Sequence, residues 1–487
     1  MEVVIISVWQ QLAAFGSIIA CPNTRRLMLT FRVPRWHTQS ASNDSTMAES
    51  GAQDADLYQE LCAAVQTMFQ GHDAREQRKA NDFLVSFRRS ERAWDLCLLI
   101  VSQDGYESYE LAMFASQTLA QLARKSMSLP RDLTFNYISP ASLGKDSWEE
   151  RWQDGVFGLL ELALRARTPS LATQLSLAAC SLFIRFAPLA GTAQALQTVN
   201  EYLSALNLAS DMECLQLWLL FLSLLPEEME NRSVAARPQR RDQLQRLLRT
   251  DYGPLLCDSL LQYLSSYDAM LAACCSTLRA WICHIGLEWS LISGLVSAIY
   301  QVLRVRAQEP PSDNNNDWQA LTELLTSVME SHSSVEVLGL FLSELPTLPN
   351  LHAHQDLTQL LVVACSQSLH LLDSAEVQDV WPGALGVLIQ CTSSQNLEIA
   401  STAMDFWQVL VDKLTTSKAD QLSELMEAIF TTVMHACGYP EGYVRASQEW
   451  RDDFMDFRET ARMVLRSIGT TWSGECVLLF IGTCLIH

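Results

Sequence analysis

Four side chains with an affinity for soft metals lie close together in one apolar stretch, Cys274-Cys275 followed by Cys283-His284. Thiolates and imidazoles are the ligands of structural zinc, but zinc modules set each ligand pair about two to four residues apart. The spacing here fits none of them, and within an apolar helical run the four read as core cysteines beside a histidine. Neither G-x-x-x-x-G-K-[ST] nor G-x-G-x-x-G occurs, so no phosphate-cradling loop is encoded. Ser, His and Asp residues are scattered over helical segments, with no nucleophile-elbow motif to set one on a strained turn. The expectation is a protein with no catalytic, cofactor or metal site.

What remains is the chemistry of binding. Gln117, Gln121 and Lys125 recur at every fourth position, which on a helix gives one polar face outside the core. Asp452, Asp453 and Asp456 fall within a turn and a half, so a helix there projects at least two carboxylates from one face. That pattern suits a contact for basic surface, and it equally suits a solvated face. Arg237 to Arg241 could be a targeting signal or contact loop, with a solvated basic loop the simpler reading. Trp94, Trp218, Trp281 and Trp407 could grip a peptide, but tryptophan in an apolar helical pattern is more often packing between helices.

These residues need helices to position them, and the pattern from 55 to 468 is helix after helix. Leu57, Leu61, Ala64, Val65 and Met68 mark one helical face. Gly71-His72-Asp73 breaks that helix, and Asp73 can cap the next, whose face carries Ala80, Phe83, Leu84 and Phe87. Further helices are predicted near 93–101, 109–127, 148–165, 170–187, 195–207, 211–225, 240–265 and 268–284. Later ones fall near 289–307, 318–330, 334–344, 356–373, 376–391, 396–414, 419–437 and 449–467. Strand-like alternation is absent, and the repeat of roughly 40 residues per pair matches HEAT-type repeats. The expected architecture is all-α, a right-handed α-solenoid of HEAT-like antiparallel helix pairs (an ARM/HEAT superhelix) whose core lengthens with every pair. Asn231 to Arg241, and Glu309 to Asn316 with Pro310-Pro311, read as surface loops.

Composition sets the class. Of 487 residues, 49% are hydrophobic and 18% charged, enough apolar surface to fold. Asp plus Glu at 55 outweigh Lys plus Arg at 34, so the net charge of -21 repels nucleic acid and anionic membranes and favours basic proteins as partners. Most of the 14 cysteines, among them Cys180, Cys214, Cys274, Cys275, Cys283 and Cys365, lie in apolar helical runs and read as small hydrophobes in a reducing compartment. The apolar runs Leu215 to Leu225 and Val477 to Ile486 fall well short of the roughly 20 residues that cross a bilayer, so no membrane insertion is expected. Residues 1–46 lack the basic opening of a secretory signal and read as a poorly ordered extension, with a transit peptide as the alternative.

Particular segments also resemble a known family. Val65-Gln66-Thr67-Met68-Phe69, Asp82-Phe83-Leu84 and Ser90-Glu91-Arg92-Ala93-Trp94 are similar, in that order, to the opening repeat of importin-β (karyopherin) nuclear transport receptors, and look most like the transportin-3 branch. Phe114-Ala115-Ser116-Gln117-Thr118-Leu119 resembles the second-repeat helix of that family. Leu225-Pro226-Glu227-Glu228 with Arg232-Ser233 and Arg240-Arg241, and Phe406-Trp407, resemble the same branch. Asp452-Asp453-Phe454-Met455-Asp456-Phe457-Arg458 is similar to its D-D-F-x-x-F-R segment.

The resemblance implies an organisation of 1–46 extension, 47–130 importin-β N-terminal-like domain, 131–468 HEAT-repeat solenoid and 469–487 divergent tail, similar to the N-terminal half of a receptor. It implies a nuclear import receptor shuttling between cytoplasm and nucleus, with Ran-GTP, phenylalanine-glycine nucleoporins and basic cargo such as arginine-serine-rich proteins as partners. It places the helices 75–87 and 109–127 on the concave side, with Gln117, Gln121 and Lys125 as Ran-GTP contacts and Asp452, Asp453 and Asp456 as contacts for Ran or cargo. Since it puts the main cargo site in the other half, this chain is expected to bind Ran-GTP better than cargo and to expose an apolar face near Arg451 to Ile468. A general helical-repeat scaffold or regulatory subunit, and an export receptor, are the alternatives.

Overall fold

The computed structural model describes residues 45–71, 73–103, 108–125, 148–206, 209–308, 316–371, 374–413, 423–440 and 443–471. Expectations for residues 1–44, for 309–315 with its prolines, and for the tail 472–487 lie outside the described residues. The chain divides into two compact units, Met1–Leu57 and Tyr58–His487. The described part of the first is the opening of helix α1 (Ser45–Gln70), and all the later helices belong to the second.

Every regular element among the described residues is helical. After α1 come α2 (Ala74–Phe87), α3 (Ala93–Ser102), α4 (Tyr109–Arg124), α5 (Trp148–Arg165), α6 (Pro169–Phe186), α7 (Thr192–Ala205) and α8 (Asp211–Glu230). Next are α9 (Pro238–Leu247), α10 (Gly253–Ser266), α11 (Leu271–Ala280), α12 (Trp289–Arg306), α13 (Asn316–Ser331) and α14 (Val335–Glu344). The remainder are α15 (Gln355–Ser368), α16 (Ala375–Thr392), α17 (Leu397–Lys413), α18 (Ser423–Ala436) and α19 (Gln448–Thr471).

The starts are written in the local sequence. Asp73 caps α2 by accepting from the Arg75 N–H at 2.8 Å, and Ser108 caps α4 through the Leu111 N–H. Ser210 and Glu213 form a reciprocal capping box on α8. Pro169 and Pro238 open α6 and α9, where a missing N–H leaves no bond unmade.

Packing is sequential, in two layers. The second helix of each pair rests on the second helix of the next, in the order α4, α6, α8, α11, α13, α15, α17, α19. In the other layer α5 meets α7, α10 meets α12, and α14 meets α16, which meets α18. Each pair buries its apolar side on its neighbours, and this is the expected all-α solenoid. Aromatic contacts run through the core, including Trp152 on Phe183, Phe183 on Phe221 and Trp381 on Phe406. Trp94, Trp218, Trp281 and Trp407 are all core residues, at most 2% exposed; the peptide-grip alternative fails because no ring face reaches solvent.

Three expected helices are longer or more broken than their sequence suggested. The helix expected to stop at 225 runs through Pro226 to Glu230. Proline has no N–H for the Leu222 carbonyl, but the Trp281 indole N–H donates to that oxygen at 2.9 Å. Thr277 Oγ1 donates to the Leu219 carbonyl one turn earlier, at 3.1 Å. The expected helix 240–265 is divided into α9 and α10 by a π turn, Leu248–Tyr252, and 268–284 ends in another, Trp281–Ile285. Gln245 and Arg249, one turn apart, donate to the His284 and Ile285 carbonyls at 2.7 and 2.8 Å and so fasten the two π turns together. Gly286 then terminates the segment at φ +73, a left-handed conformation.

Candidate functional site

Helix α4 is buried around most of its circumference. Leu111, Ala112, Phe114, Ala115, Leu119, Ala120 and Ala123 are core, and the hydroxyls of Ser116 and Thr118 turn back onto the Met113 and Phe114 carbonyls. The partly open stripe is Glu110, Met113, Gln117 and Gln121. The two glutamines therefore share one face, as their spacing predicts. Lys125 does not continue it: the helix ends at Arg124, not Met127, and Lys125 is an exposed C-cap in extended conformation. Its ammonium lies at the end of the stripe instead of on it.

Helix α19 separates its side chains by chemistry. Asp452, Asp453 and Asp456 are exposed, and Asp452 accepts from Gln448 Nε2 at 2.8 Å. Phe454 and Phe457, from the same acidic-aromatic segment, are buried in an aromatic cluster with Tyr439, Tyr443 and Trp450. Arg458 places its guanidinium 4.2 Å from the Tyr439 ring centroid. The expectation of an open apolar face over 451–468 needs correction: Phe454, Phe457, Ala461, Val464 and Ile468 are all buried, leaving Met455 and Met463 as the large apolar side chains exposed there. The open side is charged, because α19 turns its apolar stripe onto α17.

These two groups do not form one site. They lie in the same layer with α6, α8, α11, α13, α15 and α17 between them. The soft-ligand group is also dispersed. Cys274 and Cys275 are buried, and burial raises both thiols, that of Cys274 to about 12. Cys283 is exposed, which corrects its reading as core, and His284 Nδ1 lies 3.0 Å from Glu230. Among the described residues no three His, Cys, Asp or Glu side chains converge to hold a metal.

The most connected polar group centres on Glu228, which the sequence marked only as part of a family resemblance. Glu228, 2% exposed, accepts from Arg124 Nε and Nη2 at 2.6 and 2.9 Å, from Ser181 Oγ at 2.6 Å and from Asn231 Nδ2 at 3.1 Å. The segment expected to be a surface loop, Asn231 to Arg241, with a solvated basic stretch from Arg237, is fixed to this cluster. Val234 is buried, and the Ala235 N–H donates to the Arg124 carbonyl at 2.6 Å. Arg240 donates to the Ile184 carbonyl at 2.7 Å and to that of Ala187, while Arg241 donates to the carbonyls of Met229, Asn231 and Val234. The charges face inward because the C-terminal ends of α6 and α8 present carbonyls without helical partners. Arg185 serves the end of α4 likewise, donating to the Ala123 carbonyl at 2.6 Å, and burial lowers its guanidinium to about 10.

The cluster lies largely within the stretch that has recognisable relatives. Residues 168–315 match the family model of exportin 1-like proteins. That family is part of the importin-β (karyopherin) superfamily. An uncharacterized protein of Schizosaccharomyces pombe is 25% identical over 257 residues, which is 50% of this chain and 24% of the yeast protein. The chain thus spans about a quarter of that relative's length. The crystal structure of an engineered protein aligns over 84% of this chain and 98% of its own, at 13% identity and a TM-score of 0.27, a likeness too low to carry any argument. Among the described residues, no helix is long and apolar enough to cross a membrane.

Proposed function

We propose that this chain is a karyopherin-type transport receptor that binds Ran-GTP through its N-terminal repeats and carries basic protein cargo between cytoplasm and nucleus. The observation that carries the reading is the exportin 1-like match over 168–315, set within a stack of helix pairs. Such a stack bends slightly at every interface, so one ligand can change the curvature offered to another with no catalytic group involved. The half-open stripe of Gln117 and Gln121, with Lys125 at its end, is the proposed Ran-GTP contact. Asp452, Asp453 and Asp456 are the proposed contact for basic surface on Ran or on arginine-serine-rich cargo, and weak contacts with phenylalanine-glycine nucleoporins would carry the receptor through the pore. The import direction rests on the transportin-3 resemblance; the name of the matched family favours an export receptor as the second reading.

A pull-down on the immobilised chain, with Ran locked in its GTP or GDP form and a phosphorylated arginine-serine peptide added or withheld, tests this reading. A receptor retains Ran-GTP and not Ran-GDP. Import further requires that Ran-GTP release the peptide, whereas export requires that the two bind together. Indifference to the nucleotide would leave a general helical scaffold. Retention through the three aspartates should weaken steeply with salt, since exposed charges are screened over about 10 Å at 0.1 M.

A further inference from the structure

In a helical solenoid each pair touches only its neighbours, and bending is shared among all the interfaces. The Arg124–Glu228 bond breaks that pattern. The residues are 104 apart in sequence and belong to α4 and α8, which have α6 between them. Glu228 also takes the Ser181 hydroxyl from the intervening helix, so one buried carboxylate of α8 is bonded to both preceding helices of the layer. The segment 231–237 runs beside it, with Val234 buried and the Ala235 N–H on the last carbonyl of α4. Arg240 and Arg241 anchor its far end on the terminal carbonyls of α6 and α8. These contacts are made in the last two turns of the three helices or just beyond them.

We propose that residues 231–241 are a strap, latched by Glu228, that locks α4, α6 and α8 into one rigid block and removes two interfaces from the bending of the solenoid. The block opens and closes as a unit, and curvature changes are confined to the pairs outside it. The latch depends on charge: the Arg124 guanidinium is held by both carboxylate oxygens, and a neutral amide at that position would turn an N–H donor toward it. The lock is a property of the fold and stands whether or not the chain is a transport receptor.

Hydrogen exchange followed by mass spectrometry on the full chain tests it. In the wild type, peptides covering Val234 to Ala236 should be protected to the level of the helix interiors, in spite of having no regular structure. Glu228→Gln should raise exchange in that segment at least about 10-fold, the scale of a lost hydrogen bond to a charged group. The last turns of α4 and α6 should accelerate by a similar factor, and α15 and α17 should remain unchanged. Val234→Ala, which loosens the strap with all charges in place, should give the same pattern, and it decides the matter if Glu228→Gln fails to fold. Fast exchange at 234–236 in the wild type would overturn the lock. So would variants whose acceleration stays within 231–237, since that is what a merely local anchor produces.

Discussion

Tryptophan 281 shows how far a single residue could be read in advance. Its apolar setting marks it as core, and it is fully buried. Nothing in the sequence connects it to Pro226, 55 positions earlier, yet its indole N–H takes the Leu222 carbonyl that the proline leaves without a donor. Trp94 is as deeply buried, but its Nε1 has no hydrogen-bond partner. Replacing each by phenylalanine removes a similar ring volume, so Trp281→Phe should lower stability by about 1–3 kcal/mol more than Trp94→Phe, the cost of an orphaned buried carbonyl. Urea unfolding measures both, and equal losses would mean that the carbonyl does not depend on the indole. Glu228 has the same lesson. Nothing in the sequence connects this carboxylate to Arg124, which lies 104 residues away and is brought to it only by the fold.

Helices were legible as elements where apolar residues recur with their period, and so was a cap such as Asp73, but the π turns were not. The π turns at 248–252 and 281–285 have ordinary helical patterns in sequence, and the tertiary hydrogen bonds that Gln245 and Arg249 make beside them come from the fold. Gly286→Ala should cost about 1–2 kcal/mol in urea unfolding, the penalty of a left-handed residue bearing a Cβ; that Cβ would also stand 3.2 Å from Arg249 Nη2. No loss on this substitution would show that the segment can end in another conformation. Two histidines at helix ends set a pH dependence. Burial lowers His332 against the pull of its hydrogen bond to the Leu287 backbone, and lowers His354 against the charge of Asp356. The unfolded chain therefore binds these protons first, so their contribution is complete above about pH 6.5 and is lost as the pH falls below it. Asp356, raised by burial, acts in the opposite sense and in a more acidic range. The melting temperature should fall between pH 7.5 and 5.5, and less so in a His332→Asn, His354→Asn double variant. An identical slope in that variant would mean that the histidines do not set the pH dependence.

For the whole molecule, the solenoid could be read from the repeat of breakers and amphipathic faces, since a structure built from neighbouring contacts has its period written along the chain. A bond that passes over a helix pair leaves no such period, which is why the strap looked like a loop. The faces proposed for binding were half legible. Spacing placed Gln117 and Gln121 on one face and Asp452, Asp453 and Asp456 at the surface of α19, but not Lys125 beyond the end of α4 or the burial of Phe454 and Phe457. Asparagine at the three aspartates should change stability by no more than about 0.5 kcal/mol, as exposed substitutions usually do; a larger loss in urea would make them structural. As proposed, this stack of helix pairs is a transport receptor that distinguishes Ran-GTP from Ran-GDP. Titration calorimetry with Ran-GTP against the wild type and a Gln117→Ala, Gln121→Ala, Lys125→Ala variant tests it most directly, with circular dichroism showing both folded. The wild type should bind Ran-GTP and not Ran-GDP, and the variant should bind at least about tenfold more weakly, a loss of about 1.4 kcal/mol. Equal affinity for both nucleotide forms, or no binding of either, would contradict it.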